Sequence, residues 1–189
     1  MSFLAKNALK KIGFLSYGED VLISDKASIY NPQKIKIGSH VRIDDFCILS
    51  AGEGGIILGD YIHIACYVSL IGKETIQIDD FVGLSSKSAI YSSNDDYSGH
   101  YLTGPTVPEK FRNVTHGKVH LKKHVIIGSG TIILPNVTIG EGTAVGALSL
   151  VSKNVEEFKI VVGNPFHILR ERNRNLKDLE SQLMKEPYV

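Results

Sequence analysis

The stretch IYSSNDDYSGHYLTGPTVPEKFRNVTHG, residues 90–117, gathers side chains suited to moving protons. Asp95 and Asp96 are adjacent carboxylates, and like charges in a partly buried site raise one another's pKa toward a useful range. His100 and His116 add imidazoles, which take up and return protons near neutral pH. One of these four residues is expected to be a general base, with a turn or helix cap as the alternative role for either aspartate. His116, His120 and His124 also invite a metal reading. Residues four apart in an extended strand lie roughly 13 Å apart at about 3.3 Å per residue, too far to share one zinc ion, so no metal is expected. His63, at the end of a repeat unit, reads as an exposed corner residue.

The sequence on either side of this stretch repeats every six residues. In the second half LKKHVI, IGSGTI, ILPNVT, IGEGTA, VGALSL and VSKNV place Leu121, Ile127, Ile133, Ile139, Val145 and Val151 in one phase. The first half shows the same unit from Ile37, Ile43, Leu58, Ile64, Ile78 and Leu84. A six-residue period matches neither a helical stripe nor simple strand alternation. It suits short strands joined by tight corners, three units to a triangular coil. The aliphatic residue and the residue four places later point inward, and a glycine, asparagine or aspartate between them permits the bend. Stacked coils then bury a continuous aliphatic column, an all-β parallel β-helix in which each coil touches only its neighbours.

Such a column needs caps at its ends. Leu4, Ala8, Ile12 and Leu15 fall at helical spacing, so residues 1–18 are expected to form an N-terminal capping helix. A basic helix lying on a membrane surface is the weaker reading, because only Lys6, Lys10 and Lys11 supply charge. The β-helix domain is expected over 19–163, with a loop insertion at 91–117. The C-terminal segment, 164–189, contains a helix from Asn175 to Glu186 with Leu176, Leu179 and Leu183 on one side.

Composition narrows the function class. The 189 residues are 43% hydrophobic with a net charge of +1, which fits one globular domain and gives no electrostatic footprint for nucleic acid. Cys47 and Cys66 read as free core thiols. No apolar run approaches the roughly 20 residues of a membrane span, and no signal peptide stands at the N-terminus, so a cytoplasmic location is expected.

The segments VIIGSGTIILPNVTIG and VVGNPFHILRER carry a more specific signal. With the repeats before them, over about residues 20–173, they resemble the hexapeptide-repeat acyltransferases, and most closely the branch that acetylates sugars and antibiotics. The resemblance implies a left-handed β-helix, a homotrimer, and acetyl-coenzyme A bound in the cleft between neighbouring columns. It also implies a mid-helix loop with a catalytic histidine in a segment of the type S-H-D-Y. Ser93, Asn94, Asp95, Asp96 and Tyr97 occupy that place, with Asn or Asp where the family has histidine, so the base stays open among Asp95, Asp96, His100 and His116. The loop is then the acceptor site, with Asn94, Tyr97 and Arg112 as substrate contacts. Gly128, Gly146, Ala147 and Ser149 are small enough to let an exposed strand edge receive the amide chain of pantetheine. Lys153 and Arg170, with Arg172, supply cations for the phosphates of coenzyme A. The expected reaction is acetyl transfer to a sugar hydroxyl in surface polysaccharide or glycoside modification. The alternatives are N-acetylation of an amino sugar, including a nucleotide-linked one, and a non-catalytic β-helix that has lost its base.

Overall fold

The computed structural model describes residues 2–186. The aliphatic position of each repeat and the residue four places later point into one column. Ile37 and Val41, Ile64 and Val68, and Leu121 and Val125 all have 2% or less of their surface accessible. Fully burying one such side chain contributes about 1.5–3 kcal/mol.

Short strands stack into three parallel sheets, the faces of a triangular column. The first face runs from Ser16–Tyr17 to Thr138–Ile139, and the third from Ser28–Tyr30 to Leu150–Val151. The second begins at Leu22–Ile23 and ends where Lys159–Val162 meets His167–Glu171, the one antiparallel pairing within these three sheets among the described residues. Coils stack aliphatic on aliphatic, as in Ile37↔Leu58, Leu58↔Ile78, Ile78↔Leu121 and Leu121↔Ile139. The family-like loop therefore leaves the column unbroken: the strand Ile76–Ile78 pairs directly with Val119–Leu121 across the insertion.

The corners differ from the expected chemistry. The residue three places after the aliphatic one takes a left-handed conformation, and in the first half it is rarely glycine: His40, Phe46, Tyr61, Tyr67, Phe81 and Lys87 all have φ between 56° and 63°. A side chain in this region costs roughly 1–2 kcal/mol. Stacking compensates. His40, Tyr61, Phe81 and His124 form a ladder with ring centroids 4.7, 4.8 and 5.1 Å apart, and Phe46 stacks on Tyr67 at 5.0 Å. Each aromatic pair contributes about 0.5–1.5 kcal/mol beyond its burial.

The N-terminal helix α1 is shorter than expected, Lys6–Ile12, and Leu9 is its buried residue. Gly13, in the left-handed region, ends it and leaves Leu15 66% exposed, outside the packing stripe. The C-terminal helix α2, Leu176–Leu183, buries no residue, and Leu179 and Leu183 face away from the column. Polar side chains hold it: Glu180 bonds both Lys123 Nζ (2.8 Å) and His124 Nε2 (2.6 Å), and Lys177 pairs with Glu141 at 2.9 Å. Among the described residues no helix is long and apolar enough to cross a membrane.

Because Ile64 is fully buried and stacked between Ile43 and Leu84, Ile64→Ala should lower unfolding stability by about 2–5 kcal/mol in urea titration. Lys36→Ala, on the outer side of the first face, should change it by less than about 0.5 kcal/mol.

Candidate functional site

At its base the loop is zipped shut. Ser93 pairs with His116 and Asn94 with Thr115 in a short antiparallel ladder, and Gly117 N–H donates to the Ser92 carbonyl at 3.0 Å. The buried Ser92 hydroxyl donates to the Glu74 carbonyl at 2.7 Å, tying the loop to the coil below. A cleft of about 730 Å³ opens beside this ladder, lined among others by Lys73, Asp95, Arg112, Asn113 and His116. The Ser93 hydroxyl accepts the Lys73 N–H at 2.8 Å and lies 2.8 Å from His116 Nδ1. Arg112 buries its Nε without a hydrogen-bond partner among the described residues, a donor available to an anion.

The cleft divides the loop candidates. Asp95, Arg112 and His116 line it together. Asp96 is occupied elsewhere, its Oδ2 accepting Ser98 N–H at 3.0 Å and Ser98 Oγ–H at 2.7 Å, which is the turn-capping role. His100 is exposed in that same turn, its N–H donating to Ser98 Oγ at 3.2 Å. Asn94 sits in the ladder, and Tyr97 projects into solvent, 87% exposed.

A second, shallower cleft of about 300 Å³ lies on the second face. His63, Gly83, Ser85, Ser86, Ile126 and Ser129 line it. His63 is not a corner residue: it stands in the strand His63–Ile64, and its Nε2 lies 2.9 Å from Asp44 Oδ2. Arg42 Nε donates to the other Asp44 oxygen at 2.7 Å. Burial by itself would raise the Asp44 carboxyl, but the hydrogen bonds from Arg42 and His63 outweigh it and hold the group below the usual carboxylate range. Position alone concealed this pair in the sequence. His63 and Asp44 meet because one coil brings His63 over Arg42.

The residues expected to contact coenzyme A are placed unevenly. Gly128 and Gly146 have no open strand edge; their N–H groups bond the Val145 and Val161 carbonyls of the next coil. A Cβ on Gly128 would collide with the Gly146–Ala147 backbone, so tight stacking accounts for that glycine. Ser149 is buried, its hydroxyl donating to the Gly146 carbonyl at 2.7 Å and accepting Gly163 N–H at 2.9 Å. Ala147, Lys153 and Arg170 are exposed, with Lys153 Nζ 5.5 Å from the Phe166 ring centroid. Arg172 is removed from the set of phosphate ligands: Nη1 donates to the His124 and Gly142 carbonyls, both at 3.0 Å. The histidines considered together for metal have separate partners, His116 with Ser93, His120 with Asp79 at 2.8 Å, and His124 with Glu180.

No family model matches the chain. It is, however, 52% identical over 181 residues to the dTDP-4-amino-4,6-dideoxy-D-glucose acyltransferase of Escherichia coli, spanning 96% of this chain and 94% of that one. The chain belongs to the hexapeptide-repeat acyltransferases. Crystal structures of AntD, an N-acyltransferase from Bacillus cereus, superpose over 97–98% of this chain. The complex with dTDP and 3-hydroxybutyryl-CoA gives a TM-score of 0.93 at 52% identity over 97% of both chains. A hexapeptide-repeat acetyltransferase from Vibrio cholerae shares the fold at 20% identity, with a TM-score of 0.62 over 89% of this chain and 76% of that one.

The Asp44 carboxyl yields a stability prediction. A depressed pKa in the folded state means that its stabilisation is present above the ordinary carboxylate range and is lost as pH falls through the folded value. Asp44→Asn should therefore lower Tm at about pH 7, and the difference from the parent should shrink as pH falls below the ordinary carboxylate range, as followed by thermal unfolding.

Proposed function

We propose that the protein transfers an acyl group from a coenzyme A thioester to the amino group of a dTDP-linked amino sugar. The single observation that carries this reading is the 52% identity, across nearly the whole chain, to an acyltransferase of dTDP-4-amino-4,6-dideoxy-D-glucose. AntD, which is similar over the same length, was crystallised with dTDP-4-amino-4,6-dideoxyglucose and coenzyme A. An amine acceptor thus takes the place of the sugar hydroxyl expected at first, and attack by nitrogen yields an amide.

The geometry supports specific roles. AntD was studied with one serine replaced and, separately, with one aspartate replaced ten positions later. The same two residue types recur here at that spacing, as Ser85 with Asp95 and as Ser86 with Asp96. Asp96 is engaged in a turn, whereas Asp95 lines the loop cleft, so the pair Ser85 and Asp95 is the better match. Asp95 holds the substrate amine, and the cations Lys73 and Arg112 face the diphosphate. Lys153 and Arg170 remain the candidates for the phosphates of coenzyme A.

Ser85 and Asp95 line different clefts of one chain. A site containing both is completed when the loop of one copy reaches the second face of another. Tyr97, Tyr101, Leu102 and Phe111 on the loop are 47–87% exposed, which supports such a contact. A closed trimer satisfies this arrangement with identical interfaces.

Thiol release from acetyl-CoA should occur with dTDP-4-amino-4,6-dideoxyglucose and not with dTDP-glucose. Release with the hydroxyl sugar alone would restore O-acylation, and release with neither, despite coenzyme A binding, would favour the scaffold reading. Asp95→Asn should lower kcat/KM for the amino sugar by about ten- to a hundredfold, the loss of one charge-assisted hydrogen bond, while Asp96→Asn stays within about threefold. Light scattering should give three times the chain mass of 20.7 kDa.

A further inference from the structure

We infer that His63, oriented by the buried carboxylate of Asp44, is the base that receives the proton of the attacking amine. The inference rests on the acyl-transfer reading above and assigns a residue that sequence position had placed outside the chemistry.

Three features of the second face single out this histidine. Its Nε2 is fixed by Asp44, while Nδ1 has no hydrogen bond among the described residues and remains available. The residue in register on the next coil is Gly83, so no side chain covers the ring from that side. The surrounding cleft presents Ser85, Ser86 and Ser129, hydroxyls with no other partner among the described residues, and its volume of about 300 Å³ suits the reacting ends of two substrates. A carboxylate that fixes one imidazole nitrogen leaves the other poised as a proton acceptor.

The molecule contains a comparison for this arrangement. His120 and Asp79 on the first face are paired with the same atoms at 2.8 Å. There the carboxylate side chain is 31% exposed and the imidazole 21%. At His63 the order is reversed, with the carboxylate 6% exposed and the imidazole 53%. A buried anchor beneath an accessible ring is what proton transfer requires, whereas the His120 pair is a bridge between coils. Within one chain the charged groups facing His63 are Asp44 and Arg42 from the coil below, and the residues lining the cleft with it are uncharged; in the proposed assembly Asp95 from the loop of another copy joins them.

The step balances without a further reactant. The neutral amine attacks the thioester carbonyl, forming the C–N bond, and its surplus proton passes to His63 Nδ1. The serine hydroxyls donate to the oxyanion. Collapse breaks the C–S bond, and the departing thiolate takes the proton from Nδ1, giving the amide and free coenzyme A.

His63→Gln keeps a donor for Asp44 and removes the base. It should lower kcat by about a hundredfold or more with Tm unchanged, and should abolish the limb of the pH profile on which rate rises with pH. Asp44 acts through His63 as a positioning residue. Asp44→Asn should lower kcat by about tenfold while KM for either substrate stays within about threefold, and Asp44→Glu should restore part of the rate, a split that a merely structural role would not give. If His63→Gln retains the parental limb and a rate within about tenfold, the assignment is overturned. A parent that acylates no amino sugar would instead contradict the acyl-transfer reading. Independently of turnover, the 15N imidazole resonances of His63 should move when coenzyme A and dTDP are added to the full-length protein. Unmoved resonances under saturating ligand would overturn the assignment whatever the acceptor.

Discussion

Coil-on-coil registration of aliphatic side chains is the constraint on which the whole molecule depends. Each buried residue has its partners directly above and below, so a six-residue phase must be kept along the column for any coil to be dry. The backbone enters the left-handed region at most of its corners, and the chain meets that cost in the first half largely with stacked rings rather than with glycine. The aromatic ladder and the aliphatic column are thus two halves of one solution, one setting the bends and the other the spacing.

A scaffold of this kind leaves its outer side chains free to differ from coil to coil. Outward positions on the second face pass from Arg42 to His63, Gly83 and Ile126, a succession of cation, imidazole, gap and aliphatic wall held in line by the strands. Chemistry placed there inherits the rigidity of the column. The loop obeys different rules, because it is anchored at its base, by the ladder of Ser93 and Asn94 with His116 and Thr115, by Ser92 beneath it and by the Lys73 N–H bond to the Ser93 hydroxyl. One element fixes atoms, while the other brings recognition groups that a neighbouring copy or a substrate can order.

Much of this was legible in the sequence, and the limits are physical. The inward positions followed directly from the period, since burial at residues such as Ile64 and Val68 is the reason the period exists. The resemblance at the C-terminal end gave the reaction class but did not separate a hydroxyl from an amine acceptor, because fold and cofactor serve both. The loop showed that polar chemistry was concentrated there; it did not show that Asp96 would be consumed by Ser98 while Asp95 remained available, a matter of turn geometry. The partnership of His63 with Asp44 was hidden because 19 residues separate them. Arg172, grouped by position with the cations expected to meet phosphate, holds backbone carbonyls of two coils.

The C-terminal helix offers a contrast with the column it lies against. α2 turns Glu180 and Lys177 inward and leaves Leu179 and Leu183 outside, so charge pairing rather than apolar burial decides whether it stays docked. Attractions of this sort weaken as counterions accumulate, over a screening distance of about 10 Å at 0.1 M salt, whereas aliphatic packing does not. The protein therefore carries two kinds of cohesion side by side. The column is held by water's exclusion and is not loosened by charge screening, and the tail behaves as an ionic clasp whose grip is set by the medium.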